Sequence, residues 1–120
     1  MNQDRRAVDP VALDAMLDLV GGDIEFLDEL VDTFLDDAIA QLGAMRLAAQ
    51  SDLDGLVRPA HSMKTNSANL GATVLAQMCR DLEADARSGS VNGAAERVAA
   101  AEAEFEAVRT DLLALRAARV

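Results

Sequence analysis

The stretch Ala60-His61-Ser62-Met63-Lys64-Thr65-Asn66-Ser67-Ala68-Asn69-Leu70-Gly71-Ala72 decides how this chain is read. It holds the only histidine of the protein. On a helix each residue turns about 100° from the last, so with His61 at zero Lys64 falls near −60°, Thr65 near 40° and Ala68 near −20°. By the same arithmetic Leu56, Met63 and Leu70 fall at about 180–220°. The apolar stripe therefore lies opposite the histidine. This predicts a helix whose imidazole faces solvent, with a lysine one turn along and small side chains beside it.

The rest of the chain supports a helical reading. Its 120 residues suit one domain around one core. The apolar residues are mostly Ala, Leu and Val, with three Phe and no Tyr or Trp, so helix formers dominate and strand formers are scarce. Residues 1–8 are expected to be a flexible tail, and residues 9–120 a helical bundle domain. Asp9-Pro10 predicts a helix start, and Gly21-Gly22 its end. That short helix carries Val11, Leu13, Met16, Leu17 and Val20. Asp23 is expected to cap a second helix reaching about Ala49, with Leu27, Leu30, Val31, Phe34, Ala38, Leu42 and Met45 inward. Ser51-Asp52-Leu53-Asp54 resembles a further helix start, and Gly55 and Pro59 interrupt the segment after it. A short turn at 52–57 and the histidine helix at 58–70 are expected, with Gly71 as its stop. A fourth helix spans about 72–88, with Leu75, Met78, Cys79, Leu82 and Ala86 inward. Ser90 or Asn92 is expected to cap the last, which runs to about Arg119 with Val98, Ala101, Phe105, Val108, Leu112 and Leu115 along its seam. The fold expected is all-α: an antiparallel up-down-up-down four-helix bundle with a short extra N-terminal helix.

Composition also restricts function. The net charge of −10 makes nucleic acid and anionic lipid poor partners. One cysteine forms no internal disulfide, and with one histidine it makes no standard structural zinc site. Cys79 is read as an apolar filler. The acidic residues Asp28, Asp32, Asp36 and Asp37 have the spacing of a solvated helix face, without the glycine turn and alternating carboxylates of a calcium loop. No apolar run is long enough to span a bilayer. The polar stretch from Met1 to Asp9 has no signal-peptide core, so a cytoplasmic, stand-alone chain is expected. No glycine-rich phosphate loop is present, and Ser62 points about 100° away from His61, which places it poorly as an activated nucleophile. His61 itself remains. Neutral imidazole is well populated near neutral pH, with a free-side-chain pKa of about 6.5, and its ring nitrogen can attack a phosphoryl group. Phosphoryl transfer needs positioning and positive charge, and Lys64 supplies the charge one turn away.

The stretch resembles the signature of histidine-containing phosphotransfer (HPt) domains. Ala60, His61, Lys64, Ser67, Ala68, Leu70 and Gly71 match it, Ala72 and Leu75 continue it, and Asp52 and Leu82-Glu83 match on either side. The resemblance implies a four-helix bundle that takes a phosphoryl group on histidine from a receiver-domain phosphoaspartate and passes it to another receiver. It implies His61 as the phosphorylated residue and Lys64 as the group neutralising the phosphoryl charge. Receiver domains and a hybrid histidine kinase are the implied partners. No cofactor or metal is implied for this chain, since Mg2+ would belong to the receiver, and no ATP-binding domain is present. Thr65 departs from the family, which usually has glycine directly after the lysine. A partner is expected to dock on small and apolar residues around His61, namely Val20, Ile24, Val57, Ala68 and Ala72. The protein is expected to be a monomer. The alternative is a helical adaptor that binds a receiver or kinase without carrying phosphate.

Overall fold

Side chains and backbone polar groups set the helix ends. In the computed structural model, which describes residues 6–118, Asp9 accepts the Val11 amide at 3.0 Å and Pro10 opens α1 (Pro10–Leu19). Asp23 accepts the Phe26 amide at 3.1 Å at the start of α2 (Ile24–Ser51). A 3₁₀ turn (Leu53–Leu56) leads into α3 (Val57–Asn69), and α4 (Thr73–Arg87) and α5 (Ala94–Ala117) complete the chain. Pro59 is tolerated because it lies in the first turn of α3, where backbone amides lack intrahelical partners in any case.

Two expected helix starts differ from the structure. Ser51 ends α2 rather than opening the next element, because its hydroxyl bonds back to the Leu47 carbonyl. Neither Ser90 nor Asn92 caps α5. The Ser90 amide closes the end of α4 on the Asp85 carbonyl at 3.1 Å, and Gly93, in the left-handed conformation, starts α5. The expected end of α5 at Arg119 lies outside the described residues.

The bundle is antiparallel by its own cross-links. Arg116 near the end of α5 pairs with Asp32 near the start of α2, and Arg46 late in α2 pairs with Glu102 early in α5. Asp85 at the end of α4 pairs with Arg97 at the start of α5. Leu27, Val31, Phe34, Ala38, Leu42 and Met45 of α2 face Val98, Ala101, Phe105, Val108 and Leu112 of α5 through one core, with Leu75, Cys79, Leu82 and Ala86 of α4 completing it. Phe34 and Phe105 meet at a tilted centroid distance of 6.2 Å. The architecture is thus an all-helical bundle of four long elements with α1 added at the N-terminus.

The N-terminal segment is tied in more firmly than its sequence suggests. Of the expected tail, residues 1–5 lie outside the described residues, but Ala7 and Val8 are buried in the core. Their amides donate to Asp111 Oδ2 on α5 at 2.6 and 3.2 Å, satisfying backbone groups that burial would otherwise leave unpaired. Of the apolar residues on α1, Leu13 carries the inward face, and Val11 is 70% exposed.

Gly71 joins this segment to the histidine helix. The Ala72 amide bonds the Ser67 carbonyl at 2.8 Å and the Gly71 amide bonds the Ala68 carbonyl at 3.1 Å, a Schellman ending for α3. Gly71 has φ of +81°, and its carbonyl accepts the Asp9 amide at 2.9 Å. A Cβ there would lie 2.7 Å from Ala12 Cβ and 2.9 Å from the Asp9 carbonyl oxygen. Glycine is needed both for the turn and for the approach of α1.

Candidate functional site

The apolar stripe of the histidine helix is buried as its spacing requires. Leu56, Met63 and Leu70 are in the core, and His61 is exposed on the opposite side. The imidazole nevertheless has a partner. Its Nδ1 lies 3.0 Å from Glu83 Oε2 on α4. Lys64 Nζ lies 2.8 Å from the other oxygen, Oε1. Arg87, one turn beyond Glu83, donates to Oε2 through Nε at 3.0 Å and Nη2 at 2.7 Å. One carboxylate therefore gathers an imidazole, an ammonium and a guanidinium from two helices.

Burial is uneven across the cluster. The side chain of Glu83 is only 7% exposed, while those of His61, Lys64 and Arg87 are 54%, 32% and 59% exposed. A buried carboxylate is costly unless paired and hydrogen-bonded, and here both oxygens are engaged. The hydrogen bond from Lys64 holds the Glu83 carboxyl down at about 2, against the opposing effect of burial, with further help from Arg87 and His61. Glu83 is thus ionised at neutral pH and can only accept. This decides the histidine tautomer. The ring nitrogen facing Glu83 must carry the proton, so a neutral His61 has its hydrogen on Nδ1 and its lone pair on Nε2. Nε2 has no protein partner among the described residues. The arrangement presents a solvent-facing nitrogen nucleophile, with its orientation set from behind by a carboxylate and two cations alongside.

The other expected site residues are spread more widely. Thr65 and Ala68 are exposed on the same helix. Val57 is half-buried against the core one turn before His61. Val20 and Ile24 are half-buried at the junction of α1 and α2, whereas the polar cluster is built from α3 and α4. Ala72 is fully buried, which corrects its assignment to a docking surface: as the residue that closes α3 and precedes α4 it packs inward.

Glu83 and Arg87 were not among the expected site residues. Glu83 matched the family signature, but in sequence it reads as one more charged position of an acidic helix. The available signal was its i,i+4 spacing to Arg87 beside the inward Leu82. Two clefts flank the histidine helix. One, of about 290 Å³, is lined by Met16, Leu30, Phe34 and Leu70 with Asp37 and Asn66. The other, of about 490 Å³, lies between α3 and α4 and is lined by Lys64, Ala68, Thr73, Gln77 and Arg80. No helix among the described residues is long and apolar enough to cross a membrane.

Known proteins share this architecture. A family model described as Hpt domain matches residues 29–118. The crystal structure of histidine-containing phosphotransfer protein B (HptB) from Pseudomonas aeruginosa is similar over 97% of this chain and 96% of that chain, at 30% identity and a TM-score of 0.81. No curated protein matches.

Proposed function

The chain belongs to the Hpt domain family, and from that premise we propose that it carries a phosphoryl group on His61 Nε2 between receiver domains of a phosphorelay. The observation that carries this reading is the Nδ1 contact to Glu83 at 3.0 Å, which leaves Nε2 free to attack. In the forward step the Nε2 lone pair attacks the phosphorus of a receiver's phosphoaspartate. The N–P bond forms as the bond from phosphorus to the aspartate oxygen breaks, and the aspartate leaves as a carboxylate with that electron pair. The ring keeps its Nδ1 proton and becomes positively charged. Glu83 stabilises that charge through a charge-assisted hydrogen bond. The second step reverses the roles on another receiver.

Lys64 has two parts in this reading. In the resting protein its ammonium is held by Glu83. Once a phosphoryl group is on Nε2, an ammonium one turn away offsets the negative charge. Mg2+ would belong to the receiver, with no metal bound by this chain. A hybrid histidine kinase is the proposed source of the phosphoryl groups. Against the adaptor reading stands the cluster itself: a surface that only binds needs no buried carboxylate to fix one imidazole tautomer.

The test is transfer from a panel of receiver domains phosphorylated with acetyl phosphate. Wild type should acquire an acid-labile, base-stable label, and His61→Gln should acquire none. Binding without labelling by any receiver would move the assignment to the adaptor.

A further inference from the structure

The charge of this protein is segregated. It has 21 acidic residues against 11 Lys and Arg, yet α3 contains no Asp or Glu and carries Arg58 and Lys64. On α4 the charges divide by side. Asp85 turns to Arg97 of α5, and Asp81 takes the Gln77 amide and lines a recess with Arg97 and Ala100. Arg80, Glu83 and Arg87, spaced by three and four, lie on the side facing α3: Glu83 meets His61 and Lys64, and Arg80 shares a cleft with Lys64. The single carboxylate on this face is the buried Glu83, already matched by Lys64 and Arg87.

Among the cations carried on the described helices, Arg58 and Arg80 are distinct. Arg46, Arg97, Arg109 and Arg116 are paired with carboxylates of the bundle. Arg58 and Arg80 are exposed and have no ion pair or hydrogen bond among the described residues. Asp54, one turn before Arg58, does not reach it, and Asp37 on the far flank is engaged by Asn66 and Gln41. Arg58 lies three residues before His61, on the same helix face, and Arg80 lies one turn before Glu83. Two uncommitted guanidinium groups thus bracket the histidine within an otherwise acidic protein.

We propose that α3 and the adjoining side of α4 form a cationic docking surface for a carboxylate-rich protein face, and that Arg58 and Arg80 are the charges that draw this partner in. The partner is the phosphoaspartate pocket of a receiver domain, an identity that rests on the carrier reading of His61. Complementary charge raises the association rate more than it deepens the final complex. The acidic remainder of the bundle repels the same partner, so approach is favoured only with His61 leading.

The experiment is rapid-quench transfer from an acetyl-phosphate-phosphorylated receiver to wild type and to Arg58→Ala/Arg80→Ala, at low and high NaCl, with Arg109→Ala as the control. Equilibrium binding of the same receiver to His61→Gln, with and without the two arginine substitutions, is measured alongside. The double substitution should lower the second-order rate about tenfold at low salt and leave the saturated transfer rate unchanged, with the difference vanishing as salt screens the charges. Arg109→Ala should match wild type. Equal second-order rates for wild type and the double variant would overturn the proposal, as would a fall confined to the saturated rate, which would make the arginines phosphoryl contacts. Absence of transfer in wild type, with binding still weakened by the two substitutions, would remove the carrier reading and leave the docking surface standing.

Discussion

Replacing Glu83 by glutamine tests the tautomer argument most directly. The substitution keeps the shape but removes the charge that accepts from His61 Nδ1 at 3.0 Å, Lys64 at 2.8 Å and Arg87 at 2.7 Å. The amide oxygen can serve only some of these donors, and the amide nitrogen turns a donor toward the others. A hydrogen bond to a charged group contributes about 1.5–3 kcal/mol, and each 1.36 kcal/mol is tenfold in rate, so phosphoryl transfer should slow by about ten- to hundredfold. Both sources of loss act on the chemical step: the attacking tautomer is less populated, and the positive charge developing on the ring is less stabilised. Folding should suffer less, because Lys64 and Arg87 retain access to water. The assay is single-turnover transfer at saturating phosphorylated receiver, with imidazole 15N shifts to read the tautomer and a melting curve to confirm folding. A folded Glu83→Gln protein that transfers at the wild-type rate would refute the reasoning, as would wild-type shifts showing hydrogen on Nε2.

Other consequences are equally open to measurement. Because the Glu83 carboxyl is held at about 2 rather than its ordinary 4.5, the unfolded chain binds more protons between these values; the associated stability is complete above 4.5 and is lost as pH falls toward 2. Denaturant titrations of wild type and Glu83→Gln should therefore converge over that window. Gly71→Ala combines a left-handed backbone with contacts of 2.7 and 2.9 Å to Ala12 and Asp9, and should destabilise by about 2–4 kcal/mol in chemical denaturation. Thr65→Gly should speed transfer from the cognate receiver by opening space beside His61, at a cost of about 0.3–0.5 kcal/mol in helix stability; an unchanged or slower rate counts against a steric role for Thr65. Burial pushes the Cys79 thiol up to about 12, so iodoacetamide should label it only after unfolding.

Much of this protein was legible in the residue pattern. The 3.6-residue spacing of Leu56, Met63 and Leu70 placed them inside and His61 outside, since a helix has only one stripe to bury. Asp9-Pro10, Asp23 and Gly71 marked element ends because their preferences act locally. Ser51 and Ser90 misled for a related reason: a serine that looks like a cap can be engaged by the helix that precedes it, and only the geometry of that end decides.

The sequence by itself determined the helices, their buried faces, and a histidine with a lysine one turn along. Only the tertiary structure decided what stands behind that histidine. Glu83 lies 22 residues away on another helix, and its i,i+4 spacing to Arg87 does not by itself say that it meets His61 rather than solvent. Antiparallel packing of α3 against α4 brings it within hydrogen-bonding distance, buries it, and sets Lys64 and Arg87 on its oxygens. The same packing buries Ala72 and draws Ala7 and Val8 onto Asp111. Helix periodicity is a property of neighbours along the chain, whereas tautomer, burial and charge pairing depend on which helices meet.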